Sequence, residues 1–268
     1  MKNPLRRSGN GHNGTSDSVR NTFTVVLGEF CGTFLFLLLS YLGTQIAFDT
    51  TGFPDVPLQP IALIYVALSF GSALTVTVWI FYRITGGMFN PAITLALLLA
   101  GVVKPARAPL IIITQLVAAI AAAGVTNGLL PGPLLSRTTL ASNMSVTRGL
   151  FLEMFLTAQL VLTVFFLAVE KHRGTFLAPI GIGVSLFIAM LCGVNYTGAS
   201  VNPARSFGPA VVAGFEGYHW IYWVGPGLGA LLAFAVYGLF RKLGYWTANP
   251  DQDAPDVEKA DNTASNSR

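Results

Sequence analysis

VNPARSFGPA, residues 201–210, sets an arginine beside an Asn-Pro-Ala triplet in a strongly apolar chain. A second triplet, Asn90-Pro91-Ala92, stands in GGMFNPAIT, residues 86–94. Asparagine before proline is a helix start, because the Asn side chain caps free backbone N–H groups and proline suits the first helical position. Each triplet therefore opens a short helix, over roughly 91–100 and 203–213, whose positive dipole end lies at the triplet. A single Asn-Pro-Ala is an ordinary cap. Two copies at matching places in a repeated chain point to a shared task.

The surroundings supply the repeat. The chain has 268 residues, 53% hydrophobic and 10% charged, with a mean hydropathy of +0.61. Soluble proteins carry about 25% charged residues. Six apolar segments, roughly 22–47, 61–82, 109–130, 149–169, 177–195 and 220–240, approach or exceed the about 20 residues that a membrane span needs. The pieces after the triplets are too short to cross and read as re-entrant. Glu29, Thr33 and Phe36 in GEFCGTFLF recur as Glu153, Thr157 and Leu160 in LEMFLTAQL, so the halves are about 22–130 and 147–240. Three spans per half force the second copy to insert upside down, the inverted repeat of many transporters, with the site at the midplane between halves.

Cys31 and Cys192 lie inside apolar runs and form neither a disulfide framework nor a metal cluster. His12, His172 and His219 do not cluster either, so no metal and no cofactor is expected. The net charge of +4 comes from basic residues scattered between spans, which argues against nucleic acid. Residues 1–21 lack an apolar stretch and a cleavage pattern, and so read as a disordered tail with no signal peptide. Residues 246–268 read as a second disordered tail, leaving 22–245 as the membrane domain. With both termini cytoplasmic, only Arg137, Arg148 and Arg205 of the 16 Lys and Arg fall in the outer half.

GEFCGTFLF, TGGMFNPAIT, YTGASVNPARSFGPA and HWIYWVGP together resemble the aquaporins, the major intrinsic protein family, over roughly 22–245. FYRITGG, PGPLLSRTTL, VEKHRGTF and YWTANPDQD are similar to fungal members. The resemblance implies an all-α membrane protein of six transmembrane helices and two re-entrant half-helices, assembled as a homotetramer with one pore per subunit. It places Asn90, Pro91, Ala92, Asn202, Pro203 and Ala204 at the pore centre, and it favours the plasma membrane. Arg205 matches the arginine of the family's narrowest ring; an intramembrane charge is in any case a candidate functional group. Offsets from the triplets place Phe70, Met190 and Ala199 in that ring. Water-specific members carry histidine where Met190 stands, and methionine is flexible with only a weak acceptor sulfur.

Ser206, Ala210, Tyr222 and Trp223 match water channels rather than glycerol channels. The family's counterparts of Glu29 and Glu153 support the half-helices; proton relay is the alternative. Asn143 in Asn143-Met144-Ser145 is a glycosylation sequon in the expected outer loop. The sequence thus reads as a passive water channel in a lipid bilayer and not as an enzyme. A broader channel for hydrogen peroxide, glycerol or ammonia is the nearest alternative, because of Met190. A structural membrane protein with a closed pore is the alternative of another class. Because position 199 is alanine and carries no thiol, mercury block through that site should be absent; strong block abolished by substituting Ala199 would contradict this.

Overall fold

The computed structural model describes residues 14–249. Eight α-helices run in order: α1 (Gly14–Thr51), α2 (Pro60–Phe81), α3 (Pro91–Leu99), α4 (Ala108–Leu129), α5 (Val146–Val164), α6 (Ala178–Thr197), α7 (Pro203–Ala213) and α8 (Ile221–Lys242). Of these, α1, α2, α4, α5, α6 and α8 supply the six helices long and apolar enough to cross a membrane. At 1.5 Å per residue, α2, α4 and α8 each reach about 33 Å, enough for a hydrocarbon core of about 30 Å. The 9-residue α3 and 11-residue α7 reach only about half that depth.

The packing follows the repeat. In the first half α1 packs on α2 and α4, and in the second α5 packs on α6 and α8. The halves interlock, α2 lying along α6, α7 against α4 and α3 against α8. The surface polarity is inverted relative to a soluble protein. Leu39, Ile46, Trp79, Ile80 and Phe155 are exposed, while Glu29, Gln45, Asn90, Gln115, Glu153 and Arg205 are buried. Buried polar residues at this depth need internal partners.

One boundary differs from the sequence reading. α1 begins at Gly14, inside the stretch 1–21 expected as a disordered tail. Its polar first turns hold because Thr22 and Thr24 donate back to the Ser18 and Arg20 carbonyls, both at 2.9 Å, and Arg107 Nε donates to Thr22 Oγ1 at 3.1 Å. The remainder of that tail, and the second tail beyond 249, lie outside the described residues. The fourth span reaches 169 as expected, its last turn beyond α5 being a π-helical one, Phe165–Val169, where Phe165 stacks on Tyr237 with centroids 4.4 Å apart.

The α2–α6 crossing is close because both helices offer glycine, as small residues do in membrane helix pairs. A Cβ on Gly183 would stand 2.6 Å from the Gly71 carbonyl oxygen. Gly183→Val should therefore cost about 1–3 kcal/mol by overpacking and lower the melting temperature in detergent; an unchanged melting temperature would remove this crossing from the stability argument.

Candidate channel site

The two loops that precede α3 and α7 carry unusual backbone. Phe89, Ala199 and Val201 take positive φ values of 49°, 46° and 44°. Such left-handed conformations cost about 1–2 kcal/mol each for residues with a Cβ, so something must hold them. Two buried carboxylates do. Glu29 accepts from Met88 N at 3.2 Å, Phe89 N at 3.0 Å and Gln115 Nε2 at 2.8 Å. Glu153 accepts from Ser200 N and Val201 N, both at 2.8 Å, and from Thr197 Oγ1 at 2.6 Å. Gly32 leaves the room that the Phe89 ring occupies.

The asparagines then join the loops to each other. Asn90 Oδ1 accepts from Ala92 N at 2.8 Å, and Asn202 Oδ1 accepts from Ala204 N at 2.9 Å and Arg205 N at 3.3 Å. These bonds fix which end of each amide is nitrogen. Asn90 Nδ2 donates to the Val201 carbonyl at 2.8 Å, and Asn202 Nδ2 donates to the Phe89 carbonyl at 2.9 Å. Each amide thus spends one N–H on the opposite loop and keeps one more.

Arg205 stands at a neck. It lines a wide mouth of about 340 Å³ together with Thr44, Phe48, Arg137, Asn195 and Gly198. It also lines a narrow cavity of about 10 Å³, which Phe70, Asn90, Met190 and Asn202 share. One water needs about 10–15 Å³ measured this way, so the narrow part is a single-water constriction. Arg205 donates through Nη1 to the Ser136 carbonyl at 3.0 Å and through Nη2 to the Gly198 carbonyl at 3.1 Å. Its guanidinium carbon lies 5.0 Å from the Phe70 ring centroid, and its buried Nε has no hydrogen-bond partner.

The remaining expected residues divide. Met190 lies on the wall of the narrow cavity with Phe70 and Arg205. Ala199 is buried but outside that wall, its methyl close to Gly193 of α6. Ser206 Oγ donates to Ser200 Oγ at 2.6 Å, and Tyr222 Oη donates to the Thr197 carbonyl at 2.9 Å, so both brace the second loop. Ala210 is buried, and Trp223 meets Phe207 edge-on at 5.7 Å. Asn143 is exposed, two residues before Ser145, which N-caps α5.

Sequence reading missed three supports. Tyr41 Oη donates to the Arg205 carbonyl at 2.8 Å, Gln115 bridges Glu29 and Thr94, and Gln45 spans the Pro133 carbonyl and Leu135 N. The available signal was a polar side chain alone in an apolar helix, which in a membrane demands a partner.

Two capped half-helices meeting inside six spans, with an arginine at the neck between a wide mouth and a single-water constriction, define the architecture of a membrane channel. The comparisons with known proteins agree. The model of the family described as major intrinsic protein matches residues 16–237. The chain is 61% identical over 246 residues to Aquaporin-1 of Gibberella zeae, covering 91% of this chain and 77% of that protein. It is 54% identical over 244 residues to Aquaporin-7 of Botryotinia fuckeliana, covering 89% of this chain and 54% of that one. The chain thus spans about half to three quarters of these relatives' length. The solved aquaglyceroporin from Plasmodium falciparum shares the fold, with a TM-score of 0.67 at 20% identity over 82% of this chain and 95% of that one. The chain belongs to the major intrinsic protein family, the aquaporins, and is an integral multi-pass membrane protein.

The carboxylate bonds generate a test. Glu153→Gln replaces an acceptor by an N–H donor facing the Ser200 or Val201 amide. The loss should be about 1.5–3 kcal/mol, the worth of a hydrogen bond to a charged group. It should appear as a lower melting temperature and faster hydrogen exchange at those two amides; unchanged exchange would show that Glu153 does not hold the loop.

Proposed function

We propose that the chain is a passive, single-file water channel that excludes protons and ions. The observation carrying this reading is the constriction itself, lined both by donors, Asn90, Asn202 and Arg205, and by apolar side chains such as Phe70, Leu74 and Leu186. A water there can accept from the spare N–H groups of Asn90 and Asn202, which turns its hydrogens outward along the passage. A proton relay needs a donated hydrogen bond across that point, and none is offered. The positive ends of α3 and α7 and the Arg205 guanidinium repel cations. Ser206, bonded to Ser200 of the second loop, and Ala210, buried in α7, support water over glycerol through the resemblance to water channels.

Met190 favours a second reading, a channel that also admits hydrogen peroxide or another small neutral solute. Its sulfur offers no donor where water-selective relatives offer histidine, so the ring binds water less and discriminates less. The roles of Phe70, Met190 and Arg205 as filter residues, and of Ala199 as the small member beside them, belong to this proposal. So do the homotetramer, the plasma membrane, cytoplasmic termini and glycan attachment at the exposed Asn143. The excess of Lys and Arg between the expected inner ends of the spans supports the orientation.

Stopped-flow light scattering on purified protein in liposomes tests the proposal. Osmotic water flux well above protein-free liposomes is expected, with glycerol uptake at the background. Peroxide uptake that Met190→His reduces would establish the broader channel. No flux of any solute would leave a structural membrane protein with a closed pore.

A further inference from the structure

We propose that Met190 is an oxidation site, and that its conversion to the sulfoxide by hydrogen peroxide entering the passage closes the constriction. The inference rests on the channel reading but goes beyond it. Of the four methionines among the described residues, only Met88 and Met190 line the narrow cavity. Both have almost no surface open to a water-sized probe, at 3% and 0% exposure. Their place on the cavity lining makes the passage the route by which an oxidant would reach them when the walls move apart. The Met88 sulfur already accepts from Thr94 Oγ1 at 3.8 Å. No such bond engages the Met190 sulfur among the described residues, so its lone pairs are not held by a donor.

The step balances without a further reagent. The thioether sulfur attacks one peroxide oxygen, the O–O bond breaks and an S–O bond forms. Sulfur loses two electrons, and the second oxygen leaves as water with both protons. The product is polar and carries a strong acceptor where a weak one stood. Arg205, on the same cavity wall, has a buried Nε with no partner and donates only one N–H from each Nη. Its unused N–H groups are fitting donors to a sulfoxide oxygen on that wall. The oxidised side chain would then fill the room of the single water and occupy the donor that the passing water uses.

The experiment exposes proteoliposomes to hydrogen peroxide, then measures osmotic water flux and maps methionine sulfoxide by peptide mass spectrometry. Met144 and Met154, both partly exposed, serve as internal controls. The expected result is sulfoxide at Met190 and a fall in flux of about tenfold, since one added oxygen takes the space of the only water admitted. Methionine sulfoxide reductases of both epimer specificities, applied to protein opened in detergent and then reconstituted again, should restore the flux. In Met190→Leu, whatever its own starting flux, the peroxide-dependent drop should vanish. The inference is overturned if Met190 stays unoxidised while the control methionines react. It is equally overturned if Met190 is oxidised and water flux persists. Absent flux before peroxide would sink the channel reading and this inference together, so the two failures are distinguishable.

Discussion

The structure depends on satisfying polar backbone at membrane depth, where hydrocarbon offers no hydrogen-bond partner. Glu29 and Glu153 meet that demand for the two loops that open the half-helices. Each carboxylate takes two consecutive backbone N–H groups, which forces the peptide into the left-handed turn at Phe89 or Val201. The turn aims each loop carbonyl at the asparagine of the other half. Neither loop is complete without its counterpart, so the two halves are coupled at the point where water would pass. This reciprocity also explains why the glutamates repeat in the sequence. Two inverted loops pose the same electrostatic problem and receive the same answer.

The fold is symmetric while the constriction is not. Three residues after Asn202 stands Arg205, and three after Asn90 stands Ile93; both line the narrow cavity. One half thus contributes a positive charge and the other an aliphatic wall. The charge is tolerable because two carbonyls and the face of Phe70 receive the guanidinium, while Tyr41 holds its main chain from behind. What remains without any partner is the buried Nε of Arg205. A fully satisfied arginine there would be only a plug.

Much of this was legible because its causes are local. Asn-Pro caps, span length and the repeated glutamates are readable from residue type and spacing, and they placed α3, α7 and every span but the start of the first within a few residues. Phe70 and Met190 were found only by offset from the triplets, since nothing in their own neighbourhoods marks them. Their convergence is a tertiary fact, produced by α2 lying along α6. Side-chain direction was beyond reach for the same reason: Ala199 adopts positive φ and turns its methyl toward Gly193. The early start of α1 was hidden because its polar turns are held by hydroxyl-to-carbonyl bonds and by Arg107, which sits 85 residues away in sequence.

The bore of the passage is therefore a packing quantity. Phe70 precedes Gly71, and Met190 lies two turns beyond Gly183, so the walls of the constriction hang on the two helices that touch at those glycines. Close-packed interiors transmit displacement rather than absorb it. If a side chain at Gly183 pushed α6 from α2, it would carry Met190 away from Phe70 and widen a space now fitted to one water. The glycine contact and the constriction are thus two ends of one lever, with helix spacing at one end and cavity width at the other. The width of the constriction is set as much by residues that do not line it as by those that do.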